Sequence, residues 1–259
     1  MARRKTIECY KLAQPDGWDF RTGCTINYRG DGTFPHTVRV PNPRPALGVC
    51  SPGVIHASVR PEDCFVGARI PCSAYRVRGV PVAEDKRKYG FVELEVLEEI
   101  TDLDSLFPFN YTEACNPINP FLAPRVEVTG EMLDILREWS RVWTLGLPIS
   151  TFMDGLPLLW ITVRDGIWNR LLLSMEPLYP IWRCFPDKAW DSAVSCAASY
   201  AASLFKPGFS CPGMSRRQWK SFQVGAGLWR RGVIPSFDGE VWRLHSGEKA
   251  AVIWEGRLT

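Results

Sequence analysis

The chain has 259 residues, 46% of them hydrophobic and 23% charged, with a net charge of +3. That balance excludes a disordered chain, which would be poorer in apolar residues, and leaves room for one large domain or two ordinary ones. Thirty-one basic residues face 28 acidic ones, which argues against nucleic acid as a partner, because such binders gather Lys and Arg on one face.

Residues 6–100 read as mostly strand. Thr6 to Leu12 is a β-prone run stopped by Gln14-Pro15-Asp16-Gly17, and Thr37 to Val40 alternates in a strand-like way. Pro41-Asn42-Pro43-Arg44-Pro45 cannot be helix, because each proline pushes its predecessor into extended geometry. Gly53 to Ser58 is a buried-strand candidate. A short helix is predicted from Pro61, with Glu62 and Asp63 favouring its N-terminus, to about Ala68. Ser73 to Val80 and Phe91 to Ile100 complete the strands, and Val92, Leu94 and Val96 share the parity that faces inward. Between those two strands, Glu84-Asp85-Lys86-Arg87-Lys88 reads as a charged turn or loop.

Pro108 to Pro124 holds four prolines and three asparagines without periodicity, and it is the natural linker. Beyond it the pattern turns helical. Thr129 caps a predicted helix with an apolar stripe of Met132, Ile135, Leu136, Trp139, Val142 and Trp143. A second helix is expected over about Leu158 to Ser174. A third, capped by Asp187, carries Trp190, Val194, Ala197, Ala198, Ala201, Leu204 and Phe205. The fourth opens on the capping box Ser215-Arg216-Arg217-Gln218, carries Trp219, Phe222, Ala226 and Trp229, and stops at Gly232. Asp238-Gly239 then signals a hairpin, and Ser246-Gly247-Glu248-Lys249 a looser turn, so the tail makes a small meander.

The expected fold class is therefore α+β: a mostly-β N-terminal half and a Trp-rich helical C-terminal half closed by a β-meander. The domains are expected at 1–107 and 125–259, joined by a linker at 108–124. Eroded units around Val142-Trp143, Gly166-Ile167-Trp168 and Ala189-Trp190 read as either a faint internal repeat or ordinary helical packing.

Nine scattered Cys, an odd count, argue for reduced thiols in a cytoplasmic setting. The absence of Cys-x-x-Cys and of paired His argues against a metal site. Cys50, Cys64 and Cys72 read as buried free thiols. The basic start, Arg3-Arg4-Lys5, runs into Ile7-Glu8-Cys9-Tyr10 and does not read as a signal peptide; no apolar run is long enough for a membrane.

The tail Pro235-Ser236-Phe237-Asp238-Gly239-Glu240-Val241-Trp242-Arg243-Leu244-His245 and the strand Cys50-Ser51-Pro52-Gly53-Val54-Ile55-His56-Ala57 together resemble a family of phage and bacterial proteins with Trp-x-Ser-Val repeats. This chain departs from that family by an extra residue before His56 and by eroded repeats. The resemblance implies a phage or prophage origin, in a host cytoplasm or a virion, and carries no function across. The N-terminal order of strands also resembles ADP-ribosyltransferase-type domains. That resemblance implies a nicotinamide pocket lined by His56, Ser58 and Tyr75, Glu93 or Glu95 as the acid, and NAD as the bound nucleotide. The chain departs from it in Glu8-Cys9-Tyr10-Lys11, which lacks the expected His or Arg, and in having no Tyr or Ser-Thr-Ser motif in matching order.

The function expected is that of a non-enzymatic interaction or structural protein with a protein partner and no cofactor. The surface expected to carry it is Trp229, Arg230 and Arg231 beside Trp242 and Arg243, since Trp and Arg dominate interface hot spots. The alternative is an ADP-ribosyltransferase-like enzyme, or an inactive relative, acting on a host protein. His245 reads as a turn-side surface residue. No Gly-x-Ser-x-Gly elbow occurs, and Gly225-Ala226-Gly227 lacks the strand and Lys of a phosphate loop.

Overall fold

A computed structural model of the protein describes residues 5–45, 48, 49, 53–85, 87–116, 118, 120, 124–144, 187–208, 215–247 and 250–258. The helix expected over 158–174, and the eroded unit around Gly166-Ile167-Trp168, lie outside the described residues. Both strands and helices are present, so the protein is α+β. Contacts divide the chain into two compact units, Met1–Tyr111 and Thr112–Thr259.

In the first unit, β1 (Ile7–Ala13), β2 (His36–Arg39), β4 (Ser73–Gly79) and β7 (Glu93–Ile100) form an antiparallel sheet in the order β1-β4-β7-β2. A smaller sheet, β3 (Ile55–Ala57), β6 (Tyr89–Phe91) and β5 (Ala83–Glu84), lies in the order β3-β6-β5. Alternation decides the faces of the larger sheet. Val77, Leu94 and Val96 point into a core shared with Cys9, Tyr28, Ile55, Tyr75 and Phe91. On the other face Arg76 pairs with Glu98 at 2.9 Å and Arg78 with Glu95 at 2.6 Å, and Arg39 pairs with Glu93. Each buried aliphatic or aromatic side chain is worth about 1.5–3 kcal/mol, and each exposed ion pair about 0–1 kcal/mol. The core face therefore holds the sheet and specifies its register, and the Arg–Glu ladder adds little to either.

The run Phe91 to Ile100 is two strands in two sheets, not one. It breaks at Val92, whose carbonyl accepts from the Val40 amide at 2.9 Å. Phe91, on the outward parity of a single strand, is consequently fully buried opposite Ile55. The predicted helix at Pro61 is a 3₁₀ turn, Pro61–Val66. The expected linker also begins too early at 108. Phe107 and Phe109 are buried and pack with Phe65 at centroid distances of 5.1 and 6.0 Å. The Tyr111 hydroxyl accepts from the Cys72 amide at 2.7 Å. These aromatic side chains are too apolar to leave in a solvated connector, so the segment packs on the first unit despite its prolines. Helix α1 (Leu103–Leu106), capped by Asp102, precedes them, and α2 (Tyr111–Cys115) straddles the boundary.

The second unit contains α3 (Gly130–Thr144), α4 (Asp187–Ser203), α5 (Arg216–Gln223) and α6 (Ala226–Arg230). The Thr129 hydroxyl caps α3 by accepting from the Met132 amide at 3.3 Å. The helix expected from 215 to 231 is broken at Val224-Gly225. A Cβ on Gly225 would stand 2.8 Å from the Trp139 ring and 2.9 Å from Ser199 Oγ, so close packing on α3 and α4 interrupts it. The tail strands β8 (Val233–Phe237), β9 (Trp242–Ser246) and β10 (Ala251–Gly256) form a meander in the order β10-β9-β8. Asp238 holds its first turn, its carboxylate accepting from the Glu240 and Val241 amides at 2.9 Å each.

Candidate ligand-binding cleft

The first unit carries a cleft of about 710 Å³. Strand β1 supplies Lys11, the loop after it Asp19, Phe20 and Arg21, and strand β3 with its exit His56 and Ser58. Val66 comes from the 3₁₀ turn, Lys88 from the residue before β6, and Arg44 from the proline-rich segment. Two local features fix these positions. The Asp19 amide donates to the Ile26 carbonyl at 2.9 Å, which folds residues 17–28 back towards β1. The Arg44 amide donates to the Gly53 carbonyl at 3.0 Å, and a Cβ on Gly53 would lie 2.3 Å from that nitrogen, so only glycine fits.

At the cleft wall Lys11 Nζ sits 2.8 Å from Asp19 Oδ2, with the two side chains 10% and 12% exposed. Lys11 also lies 5.0 Å from the centroid of the buried Tyr28 ring, and the Tyr28 hydroxyl donates to Asp19 Oδ2 at 3.2 Å. Burial pushes the Asp19 carboxyl up. The Lys11 ammonium and the amides of Arg21 and Thr22 outweigh it and hold the group below the usual carboxylate value. Lys88 is 8% exposed, and among the described residues no carboxylate stands within ion-pair distance of it. Burial first, and then the fields of Lys11, Lys88 and Arg21, lower His56 to about 4. The ring is therefore neutral at physiological pH, and its Nε2 is buried without a hydrogen-bond partner. Burial raises the Cys64 thiol to about 11 and the Cys9 thiol to about 12, so neither is a ready nucleophile. Among the described residues no three His, Cys, Asp or Glu side chains form a metal-holding group.

Of the residues the sequence pointed to, His56 and Ser58 line this cleft, and Tyr75, Glu93 and Glu95 do not. Tyr75 is fully buried in the core, its hydroxyl 3.4 Å from Glu99. Glu93 and Glu95 lie on the solvent face of the larger sheet, each held by an arginine. Strand parity is the reason: Glu93 and Glu95 alternate with Leu94 and Val96, which take the core face. The ADP-ribosyltransferase constellation is accordingly not assembled.

The predicted partner patch fares similarly. Trp229 and Trp242 are buried; Trp229 Nε1 donates to the Ile118 carbonyl at 2.7 Å, and Trp242 stacks on Phe237 at 4.8 Å. Arg230 pairs with Glu113 at 3.1 Å, Arg231 with Glu131, and Arg243 with Asp238 and Glu255 at 2.5 Å each. The indoles are core, and the cations are neutralised within their own unit. His245 is buried instead of lying on the surface of a turn. Its Nδ1 donates to the Ala250 carbonyl at 3.0 Å and its Nε2 accepts from the Ser236 hydroxyl at 2.7 Å.

Lys11, Asp19, Tyr28 and Lys88 escaped the sequence reading. Lys11 had a signal, since it shares strand parity with Cys9 and Ala13, both buried. Lys88 had none, because it ends a run of surface charges. No protein-family model matches this chain, and no curated protein or solved structure matches it either.

Proposed function

We propose that this protein acts by binding and not by catalysis, as a non-enzymatic interaction protein whose first unit receives a ligand in its cleft. One observation carries the reading: the single carboxylate among the described cleft residues, Asp19, is committed to Lys11 in a buried ion pair. General acid–base work needs a group poised near the operating pH. His56, lowered to about 4, is a poor base at neutral pH, and Glu93 and Glu95 face away. The tail's resemblance to phage and bacterial proteins supports a phage or prophage origin and a cytoplasmic or virion setting. Among the described residues no helix is long and apolar enough to cross a membrane.

The enzymatic alternative is supported by His56 and Ser58 lying in the same cleft. Incubating the full chain with NAD and a host protein extract, and assaying nicotinamide release and protein ADP-ribosylation, separates the two readings. No release above background is expected. Turnover abolished by His56→Ala would overturn the binding reading.

A further inference from the structure

We infer that the cleft of the first unit is a site for a phosphorylated small molecule, with the phosphate lodged among Lys11, Arg21, Lys88 and the ring of His56. The inference rests on the binding reading above and names its ligand.

Charge is the first argument. Lys11, Arg21, Arg44 and Lys88 line the cleft, and among its described lining residues Asp19 is the one carboxylate. Elsewhere on the unit, the arginines of the larger sheet's outer face are matched by glutamates. Burial is the second. An ammonium removed from water without a counter-ion is costly, yet Lys88 is 8% exposed with no carboxylate at ion-pair distance among the described residues. An anion in the cleft offsets that cost. Hydrogen bonding is the third, because His56 Nε2 is buried with its bonding capacity unused, and a neutral imidazole in the Nε2–H tautomer donates to an oxyanion.

Several cationic side chains in one concavity also favour phosphate over carboxylate. A phosphomonoester carries close to two charges and three acceptor oxygens, enough to engage several donors together, whereas a carboxylate answers one cation with two oxygens. Space permits a body as well as a head: about 710 Å³ falls in the range of small-molecule sites, about 300–1,000 Å³. Leu12, Ile26, Val40, Val54 and Ile55 give that body an apolar wall.

The experiment is a thermal-shift and calorimetric titration of the full chain with ADP, inorganic pyrophosphate, adenosine and citrate. The variants are Lys88→Gln and Arg21→Gln, with Arg76→Gln on the outer sheet face as control. Arg21 is exposed, so its substitution keeps the fold even if Lys88→Gln does not. ADP and pyrophosphate are expected to raise Tm and adenosine is not; affinity should fall about tenfold or more in each cleft variant and hold in Arg76→Gln. Binding of citrate or adenosine but not of the phosphates, still dependent on Lys88 or Arg21, would overturn the phosphate assignment and leave the binding reading standing. Phosphate binding indifferent to both cleft variants, or no binding by any probe, would overturn the site. Conversion of ADP during the titration would instead overturn the non-enzymatic reading.

Discussion

Two histidines divide this molecule instructively, His245 buried and His56 half-buried with its Nε2 buried. In the tail sheet, His245 has both ring nitrogens satisfied, by the Ala250 carbonyl and the Ser236 hydroxyl. In the cleft, His56 is also kept neutral by burial, but its Nε2 has no partner among the described residues, and the fields of Lys11, Lys88 and Arg21 outweigh that of Asp19. The first arrangement closes a structure; the second leaves bonding capacity aimed at something else. A buried polar group that is fully satisfied stabilises, while one left open costs stability unless a ligand completes it. The comparison separates a structural histidine from the one proposed to bind by the state of a single nitrogen.

The largest effect should come from the cleft's own foundation. Asp19→Asn strips the counter-charge from Lys11 and should destabilise the first unit by about 3–5 kcal/mol, as for other broken buried pairs, measured by urea unfolding. Lys11→Met added to that variant should restore part of the loss, and a further drop would mean that Lys11 is not held by Asp19.

His245→Ala should cost about 2–3 kcal/mol, because it leaves Ser236 and the Ala250 carbonyl unpaired and opens a cavity in the tail. Unfolding monitored by tryptophan fluorescence, with Trp242 and Trp254 nearby in the sheet, reads it out. A near-neutral His245→Ala would put the two histidines in one class and break the comparison.

Acid offers a third handle. Both histidines sit below their ordinary value of 6.5 in the folded state. Above that pH neither state binds the proton. As pH falls below 6.5, the unfolded chain takes up protons that the folded chain refuses, so stability drops, and for His56 the loss is complete near pH 4. The His56 share should be about 1–2 kcal/mol once solvent screening is counted. Denaturation midpoints at pH 7 and pH 4.5 should therefore differ less in His56→Gln than in the native chain. The smallest effect belongs to His56→Ala at neutral pH. With no hydrogen bond to lose at Nε2, it should change stability by less than about 1 kcal/mol, while weakening phosphate binding in the same titration. A loss comparable to that of His245→Ala would show a partnered, structural ring.

Much of the local architecture was legible beforehand. Thr129 capping α3, the glycine-terminated helix before the tail, the Asp238 turn and the inward set of Leu94 and Val96 follow from short-range rules about caps, turns and alternation. The cleft was legible only in part. His56 stood out as a histidine in an apolar strand, but its predicted companions failed on geometry: Tyr75 turned into the core, and Glu93 and Glu95 fell on the wrong face. Phe107 and Phe109 were hidden by the prolines and asparagines around them, which mark a turn-rich backbone without saying what the side chains pack against.

Over the described residues the sequence by itself determined most element types and many of their ends, because those depend on neighbours a few residues apart, but not the 3₁₀ turn at Pro61 or the breaks at Val92 and Val224-Gly225. Only the tertiary structure decided that Lys11, Asp19, His56 and Lys88 meet in one cleft, and that His245 is sealed inside the tail sheet. The reason is physical. The residues that meet in the cleft come from chain segments up to 77 positions apart (Lys11 to Lys88), a distance that no local pattern spans.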